Sequence, residues 1–322
     1  MTAPNPPRLL LLKTQRLLAI LLLIAQAGIT VTGSIVRVTG SGLGCPTWPT
    51  CHEGSLVPVA GAAPAIHQAI EFGNRLLTFV LVALALALFL SVFFAKRRKE
   101  VVNHAFIQGL GIIVQAVIGG LSVLLDLQWW AVALHFLPSM LLVWLAAILV
   151  VRVSEPDEGA VIPLYPAPLR WLAAGSGAAL AVVLATGTMV TGAGPHSGDE
   201  GVGMDGRLQV DIAEIAHLHA HSMYLYLGLT IGLVVALITV AADKRALRIG
   251  LLLIGFIVVQ AAIGIIQYNW GVPRWTVPVH VGLSGVVCAF TGMLYARHQT
   301  RTPMDTLTGS PAGDARIKAP SV

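Results

Sequence analysis

Eight apolar stretches, each about as long as a lipid bilayer is thick, dominate this chain of 322 residues. A helix of roughly 20 residues crosses a hydrocarbon core of about 30 Å. With 56% hydrophobic and 11% charged residues, the sequence predicts an all-α, polytopic membrane protein rather than a soluble domain. The predicted transmembrane helices cover residues 17–36, 70–95, 103–125, 131–151, 170–191, 214–240, 247–267 and 276–297.

The basic residues predict how these helices are oriented. If the N-terminus is cytoplasmic, 16 of the 20 lysines and arginines lie on the cytoplasmic side, as the positive-inside rule requires. The four on the other side are Arg37, Arg75, Arg207 and Arg274. The sequence therefore predicts two cytoplasmic termini, and the net charge of +5 calls for no nucleic-acid partner.

Because the first apolar run continues to Val36, we expect it to remain in the mature chain rather than to be cleaved as a signal peptide.

A four-helix unit is repeated along the chain. Gln115 stands 20 residues before His135, and Gln260 stands 20 residues before His280. Because four is an even number, the two copies should share one orientation, as two similarly oriented four-helix bundles. We therefore predict a first half at residues 1–152, a polar cytoplasmic linker at 153–168, a second half at 169–297 and a disordered cytoplasmic tail at 298–322.

The second half offers two histidines as a pair of metal ligands. Aligning Glu214 with Glu71, at an offset of 143, places His217 opposite Asn74 and at a depth similar to that of His280. Two imidazoles from facing helices at one depth are what axial ligation of a haem iron requires. For any single histidine, a hydrogen bond between helices is the alternative. A proton relay is another, and zinc is disfavoured because no compact Cys/His cluster occurs.

Helical geometry distinguishes the three histidines of this span. His219 lies about 200° around the helix from His217 and is expected to face elsewhere, whereas His221 shares the face of His217 one turn further on. The sequence therefore predicts His217 as the ligand and His221 as its alternate.

The loop after the first span carries Cys45 and Cys51. On the outer side of the membrane, these cysteines predict either a small structural disulfide or a redox-active dithiol. In the next span, Glu71 and Asn74 share a helix face, and Arg75 follows. An intramembrane carboxylate indicates a functional site, the alternative being a Glu–Arg pair that fixes the helix end at the headgroups.

Taken together, these motifs resemble the haem A synthase family along nearly the whole chain, from the first span to Arg297. The resemblance rests on Gly33 to Gly44, the segment Cys45 to Cys51, Glu71 to Arg75, His135, His217 and His280. It implies an eight-helix enzyme that oxidises the C8 methyl group of haem O to a formyl group by successive hydroxylations. The product, haem A, would supply terminal oxidases.

The resemblance also implies roles for single residues. His217 and His280 would ligate a b-type haem in the second half, and His135 would bind the iron of haem O in the first half. Glu71 resembles the essential acid of that first-half site. Family members often have His where this chain has Asn74, so a second ligand to the substrate iron stays open.

The resemblance extends to partners and location. Cys45 and Cys51 resemble an outer-loop pair found in one class of the family. Haem O synthase and a terminal oxidase are expected partners in the plasma membrane, with lipid around the helices, and a second copy of the chain is a further candidate. The electron donor is not indicated. From the residues alone, a b-type cytochrome that only transfers electrons and a parallel-repeat transporter stay open as alternatives.

Overall fold

The computed structural model describes residues 6–196 and 206–302. Over these ranges the chain forms eight long helices and one small sheet. They are α1 (Pro6–Val38), α2 (Ala65–Phe94), α3 (Lys99–Leu124), α4 (Trp129–Arg152), β1 (Ala160–Pro163), α5 (Ala167–Ala193), α6 (Ile212–Thr239), α7 (Lys244–Asn269), α8 (Thr276–Ala296) and β2 (Gln299–Thr302).

All eight predicted spans are confirmed as helices that are long and apolar enough to cross a membrane. The helices extend beyond the apolar runs, most clearly in α1, which begins at Pro6 rather than near residue 17. Lys13 and Arg16 lie in this extension, where long basic side chains can keep their charges in water while the helix continues. The fold class is therefore all-α, as predicted.

Helix α6 shows why one of these elements begins where it does. The side chain of Asp211 accepts hydrogen bonds from the backbone N–H groups of Ala213 at 2.7 Å and Glu214 at 3.3 Å. Such an N-cap satisfies donors that have no partner within the helix. Glu214 is exposed in the first turn, where a carboxylate is stabilised by the helix dipole. Glu214 thus belongs to the start of the helix.

Helices pack in the same order in both halves. Each of α1 to α4 contacts the next, and α1 contacts α4; α5 to α8 repeat this order. The halves meet where α4 packs against α8 and α5, and where α1 packs against α8. Glycines allow the close approach, since a Cβ added at Gly285 would lie 3.4 Å from Cβ of Ala27 and one at Gly292 would lie 3.0 Å from the carbonyl oxygen of Trp144.

A strand clasp, formed by β1 and β2, ties the linker to the end of the second half. The two strands pair antiparallel, with Ala160 opposite Thr302. Arg152 at the end of α4 donates to the carbonyls of Ala296 at 2.9 Å and Gln299 at 3.1 Å. The prediction of a disordered tail from residue 298 is therefore wrong for Gln299–Thr302, and the rest of that tail, 303–322, lies outside the described residues.

Ion pairs reinforce the same end of the molecule. Arg97 donates to Asp157 at 2.7 Å and to the carbonyl of Val153 at 2.9 Å, and it also bonds Gln15 of α1. Burial alone would raise the pKa of Asp157, but hydrogen bonds from Arg97 and from the backbone of Arg98, with the charges of both, outweigh it and lower the pKa. The linker is thus fastened to the α2–α3 turn.

Candidate functional site

The repeated spacing from Gln to His is explained by a hydrogen bond between neighbouring helices. Gln115 Nε2 donates to the carbonyl of His135 at 2.9 Å, and Gln260 Nε2 donates to the carbonyl of His280 at 2.9 Å. Gln115 also donates to Ser139 Oγ at 2.6 Å. The bond fixes the depth and rotation of the fourth helix of each half against the third. Both histidines are therefore presented from equivalent positions.

Each of these histidines lies against a glycine of the neighbouring helix. A Cβ added at Gly119 would lie 2.9 Å from Cε1 of His135, and one at Gly264 would lie 3.2 Å from Cε1 of His280. Nδ1 of each ring is buried, and neither has a hydrogen-bond partner in the described part of the chain. Buried polar atoms usually have partners. Oε1 of Gln115 and Oε1 of Gln260 are likewise buried without a partner among the described residues, so each half has an equivalent unpaired polar pair beside this histidine.

The histidine of α6 that faces His280 is His219. The ring centroids of His219 and His280 lie 6.5 Å apart. His217 and His221 are exposed instead. The expectation that His219 faces elsewhere is thus wrong, and His219 takes the place of His217 in the candidate site.

Two threonines reveal why the predicted register was wrong. Thr32 Oγ1 donates to Asn74 Oδ1 at 2.7 Å, and Thr186 Oγ1 lies 3.2 Å from Nδ1 of His219. Asn74 and His219 thus each contact a threonine of the first helix of their own half. They stand 145 residues apart, the offset that also relates the two glutamines and the two other histidines. The prediction used an offset of 143 anchored on Glu214, and an error of two residues turns a helix by about 200°.

The geometry of the second-half pair fits a metal ion held between two imidazoles. A metal–imidazole bond of about 2 Å on each side places the two ring centroids roughly 6 Å apart, close to the 6.5 Å observed. Nδ1 of His219 lies 3.0 Å from the carbonyl oxygen of Val183. Metal-bound histidines commonly donate their second nitrogen in this way, which leaves Nε2 for the metal. Among the described residues, no group of three or more His, Cys, Asp or Glu could hold an ion by itself.

The first half has an amide where the second half has an imidazole. Asn74 Oδ1 accepts from Thr32, so the amide nitrogen is the end left for a ligand, and it carries no lone pair for a metal. His135 is thus the imidazole that the described first half offers at this position. A metal ion bound to His135 would therefore have no second imidazole from this position of α2.

Glu71 and Arg75 fasten the disulfide loop, residues 45–51, to α2. Glu71 is buried; its Oε2 accepts the N–H of Cys45 at 2.6 Å, and its Oε1 lies 2.5 Å from Nη2 of Arg75. Arg75 also donates to the carbonyls of Cys45 at 2.6 Å, Thr47 at 3.0 Å and Thr50 at 3.1 Å. The carboxylate is thus held in one orientation. The Glu–Arg pair named as the alternative is therefore formed, whereas the bonds from Arg75 to the loop carbonyls were not predicted, because they depend on the backbone of the loop.

The disulfide loop lies close to the first-half site. Cys45 and Cys51 form a disulfide, which confirms that the two cysteines are paired. A Cβ added at Gly120 would lie 2.3 Å from Cδ2 of Trp48, so the indole packs directly on α3. Gly120 is next to the glycine that supports His135. The same loop is thus bonded to Glu71 on α2 and packed on Gly120 of α3, the residue after the glycine that contacts His135.

Comparison with known proteins is consistent with these features. The sequence profile of the COX15-CtaA family, described as cytochrome oxidase assembly protein, matches residues 16–291. A protein of Exiguobacterium sibiricum named heme A synthase is 31% identical over 164 residues, which are 50% of this chain and 54% of that protein. A heme A synthase of Bacillus pumilus is 34% identical over 158 residues, 47% of this chain and 49% of its own. The chain spans about half the length of these curated relatives.

Proposed function

This chain belongs to the COX15-CtaA family of cytochrome oxidase assembly proteins, and we propose that it is a membrane oxidoreductase that converts haem O to haem A. The relatives at about 30% identity carry the name heme A synthase, which supports this activity. Each of two rounds would replace a C–H bond of the C8 methyl group by C–OH, consuming one dioxygen, two electrons from a donor and two protons, and releasing one water. The geminal diol formed in the second round loses water and leaves the formyl group.

The observation that carries the proposal is the asymmetry between two halves with the same helix order. Two imidazoles, His219 and His280, face each other in the second half, whereas Asn74 takes the place of His219 in the first. Iron with two strong imidazole ligands suits electron transfer, whereas iron with a single His135 ligand keeps a position for chemistry. A protein that needs one site for electrons and another for oxidation requires such a difference.

In the second half, His219 and His280 would hold a b-type haem, which supplies one-electron transfer when it is bound. The carbonyl of Val183 orients His219. Gly187 and Gly264 leave room for the two rings, since a Cβ added at either would lie 3.2 Å from the Cε1 atom of its histidine.

In the first half, His135 would bind the iron of the substrate haem O, and Glu71 would be the acid–base group. Arg75 occupies Oε1 of Glu71, and the Cys45 N–H donates to Oε2. A base held in a fixed orientation contributes roughly 100-fold or more to a proton transfer. We assign the proton to Oε2, because Oε1 remains paired with the guanidinium.

The same proposal covers location and partners. Both termini and the strand clasp would lie on the cytoplasmic side of the plasma membrane, with the disulfide loop outside, because this orientation keeps most arginines and lysines inside. An enzyme that makes haem O would supply the substrate and a terminal oxidase would receive the product. The first half, residues 1–152, would be the substrate unit and the second half, residues 169–297, the electron-transfer unit.

Expression with and without a source of haem O tests the proposal. Haems extracted from purified protein and identified by mass should include haem A only when haem O is supplied. A protein that binds haem b and leaves haem O unmodified would instead be an electron-transfer cytochrome. A matched preparation with His135→Ala should keep the haem b of the second half and produce no haem A.

A further inference from the structure

The loop that precedes α2 covers one end of the first half. Glu71 and Arg75 bind its backbone on the α2 side. Two glycines let it approach other elements, because a Cβ added at Gly44 would lie 2.6 Å from the backbone of His67 and one at Gly42 would lie 2.5 Å from Cδ1 of Leu127. The loop therefore touches both the start of α2 and the turn between α3 and α4.

Trp48 is the side chain that this loop directs onto α3. Three atoms of its indole would lie 2.3 to 2.6 Å from a Cβ at Gly120, and three atoms of the His135 ring would lie 2.9 to 3.5 Å from a Cβ at Gly119. Since the two glycines are consecutive, with Cα atoms about 3.8 Å apart and Cβ positions at most about 7 Å apart, the nearest atoms of the indole and the imidazole are separated by roughly 12 Å at most. A flat macrocycle ligated by His135 is wide enough to reach an aromatic ring at that distance.

The second half differs at the equivalent position. The offset of 145 that relates Gly119 to Gly264 relates Gly120 to Ile265. Ile265 is 58% exposed, so no aromatic ring covers it within the described residues. A resident cofactor needs no cover that opens, whereas a substrate must enter and a product must leave in every turnover.

We propose that the disulfide loop is the lid of the first-half site and that Trp48 is the residue through which the lid contacts the substrate macrocycle. The inference rests on the proposed function, since it takes haem O as the ligand. An indole can stack on, or meet edge to face, an extended aromatic ring, and such contacts add to the burial of apolar surface. Trp48 thereby contributes affinity and selectivity for a porphyrin in the half that exchanges its ligand.

Titration of ferric haem O into the purified full-length protein, followed by Soret absorbance, measures the affinity of the first-half site for haem O in the absence of catalysis. Trp48→Ala should weaken binding at the first-half site by about tenfold, and Trp48→Phe should restore most of it because one aromatic ring remains. Gly120→Ala should weaken binding in the same direction, because the new methyl group displaces the indole from α3. In turnover, the change should appear in KM more than in kcat, since the contact exists before the reaction.

Gly109→Ala is the matched control on the same helix, since nothing lies within 4 Å of a Cβ added there, and it should bind haem O as the wild type does. The bis-imidazole absorbance of the second half should be unchanged in all variants, which shows that they are folded. The lid proposal would be wrong if Trp48→Ala bound haem O with wild-type affinity. It would also be wrong if Gly109→Ala and Gly120→Ala lost equal affinity for haem O. If the wild type binds haem O but never converts it, the proposed function is wrong, and the titration still tests whether Trp48 contributes to haem O binding.

Discussion

The two halves present their histidines through the same hydrogen bonds and surround them with different side chains. In each half a glutamine of the third helix holds the backbone of the histidine on the fourth, and a threonine of the first helix contacts the second helix. At offset 145, Glu71 and Arg75 correspond to Ala216 and Ala220. The comparison teaches that the glutamine bonds keep one histidine of each half in the same place, whereas its neighbours on the second helix differ, with Asn74 in one half and His219 in the other.

The largest expected effect is the loss of haem b on substitution of His219, which tests whether the second half holds a pair of imidazole ligands. His219→Ala should remove most of the bound haem b from the purified protein, because iron would lose one of two strong ligands. Pyridine haemochrome content and the low-spin absorbance would measure the loss. His217→Ala is the control on the same helix and should keep both signals, since His217 is exposed. Loss of the low-spin signal in His217→Ala alone would restore the ligand pair predicted from the sequence.

Glu71→Gln should greatly reduce the oxidation of haem O in the first half and leave haem b binding in the second half unchanged. We expect conversion of haem O to fall by about 100-fold or more, because an amide cannot accept the proton. The haem b spectrum should stay unchanged. Glu214→Gln, which changes the exposed acid at the start of α6, should convert haem O at the wild-type rate. Full activity of Glu71→Gln would show that the carboxylate only fastens the loop.

The two glutamines allow a direct measurement of the shared scaffold. Gln260→Leu removes one hydrogen bond and should lower the free energy of unfolding by about 1 kcal/mol. Gln115→Leu removes two, to His135 and Ser139, and should cost about 2 kcal/mol. Thermal unfolding in detergent would rank the variants. An equal cost for both would mean that the bond to Ser139 contributes nothing.

The smallest effect is expected at the strand clasp, away from both histidine sites. The pKa of Asp157 is lower in the folded protein than its usual value, so its ion pair with Arg97 stabilises the fold above a pH of about 4. As the pH falls through the lowered pKa, the carboxylate is protonated and this contribution, below about 1 kcal/mol for a partly exposed pair, is lost. Hydrogen exchange of the β1 amides should then accelerate. Asp157→Asn should exchange quickly at every pH.

The number and type of the helices could be predicted from the sequence, but the rotation of α6 could not be predicted from the anchor chosen. Long apolar runs determine spans because backbone groups must be satisfied within the membrane. The rotation depends on which residue is aligned, and Glu214 is an exposed acid in the first turn of α6, capped by Asp211, rather than the counterpart of buried Glu71. The uniform offset of 145, visible in the Gln-to-His pairs, is the signal that identifies His219.

Contacts that join distant parts of the chain were beyond prediction from local patterns. The bonds from Arg75 to three loop carbonyls depend on how the disulfide loop folds. The strand Gln299–Thr302 is polar and short, and its partner Ala160–Pro163 precedes it by more than one hundred residues. Neither segment has an apolar alternation that would indicate a strand. Only the folded ends of α4 and α8 bring them together.

The strand clasp also has a mechanical consequence. Pairing of β1 with β2, together with the bonds from Arg152 to Ala296 and Gln299, holds the two halves at one end of the molecule. At the opposite end, Arg37 of α1 donates to the carbonyls of Thr191 at 3.0 Å and His196 at 2.5 Å, so the two halves are joined there as well. Rocking of one half against the other would therefore have to break bonds either at the clasp or at Arg37.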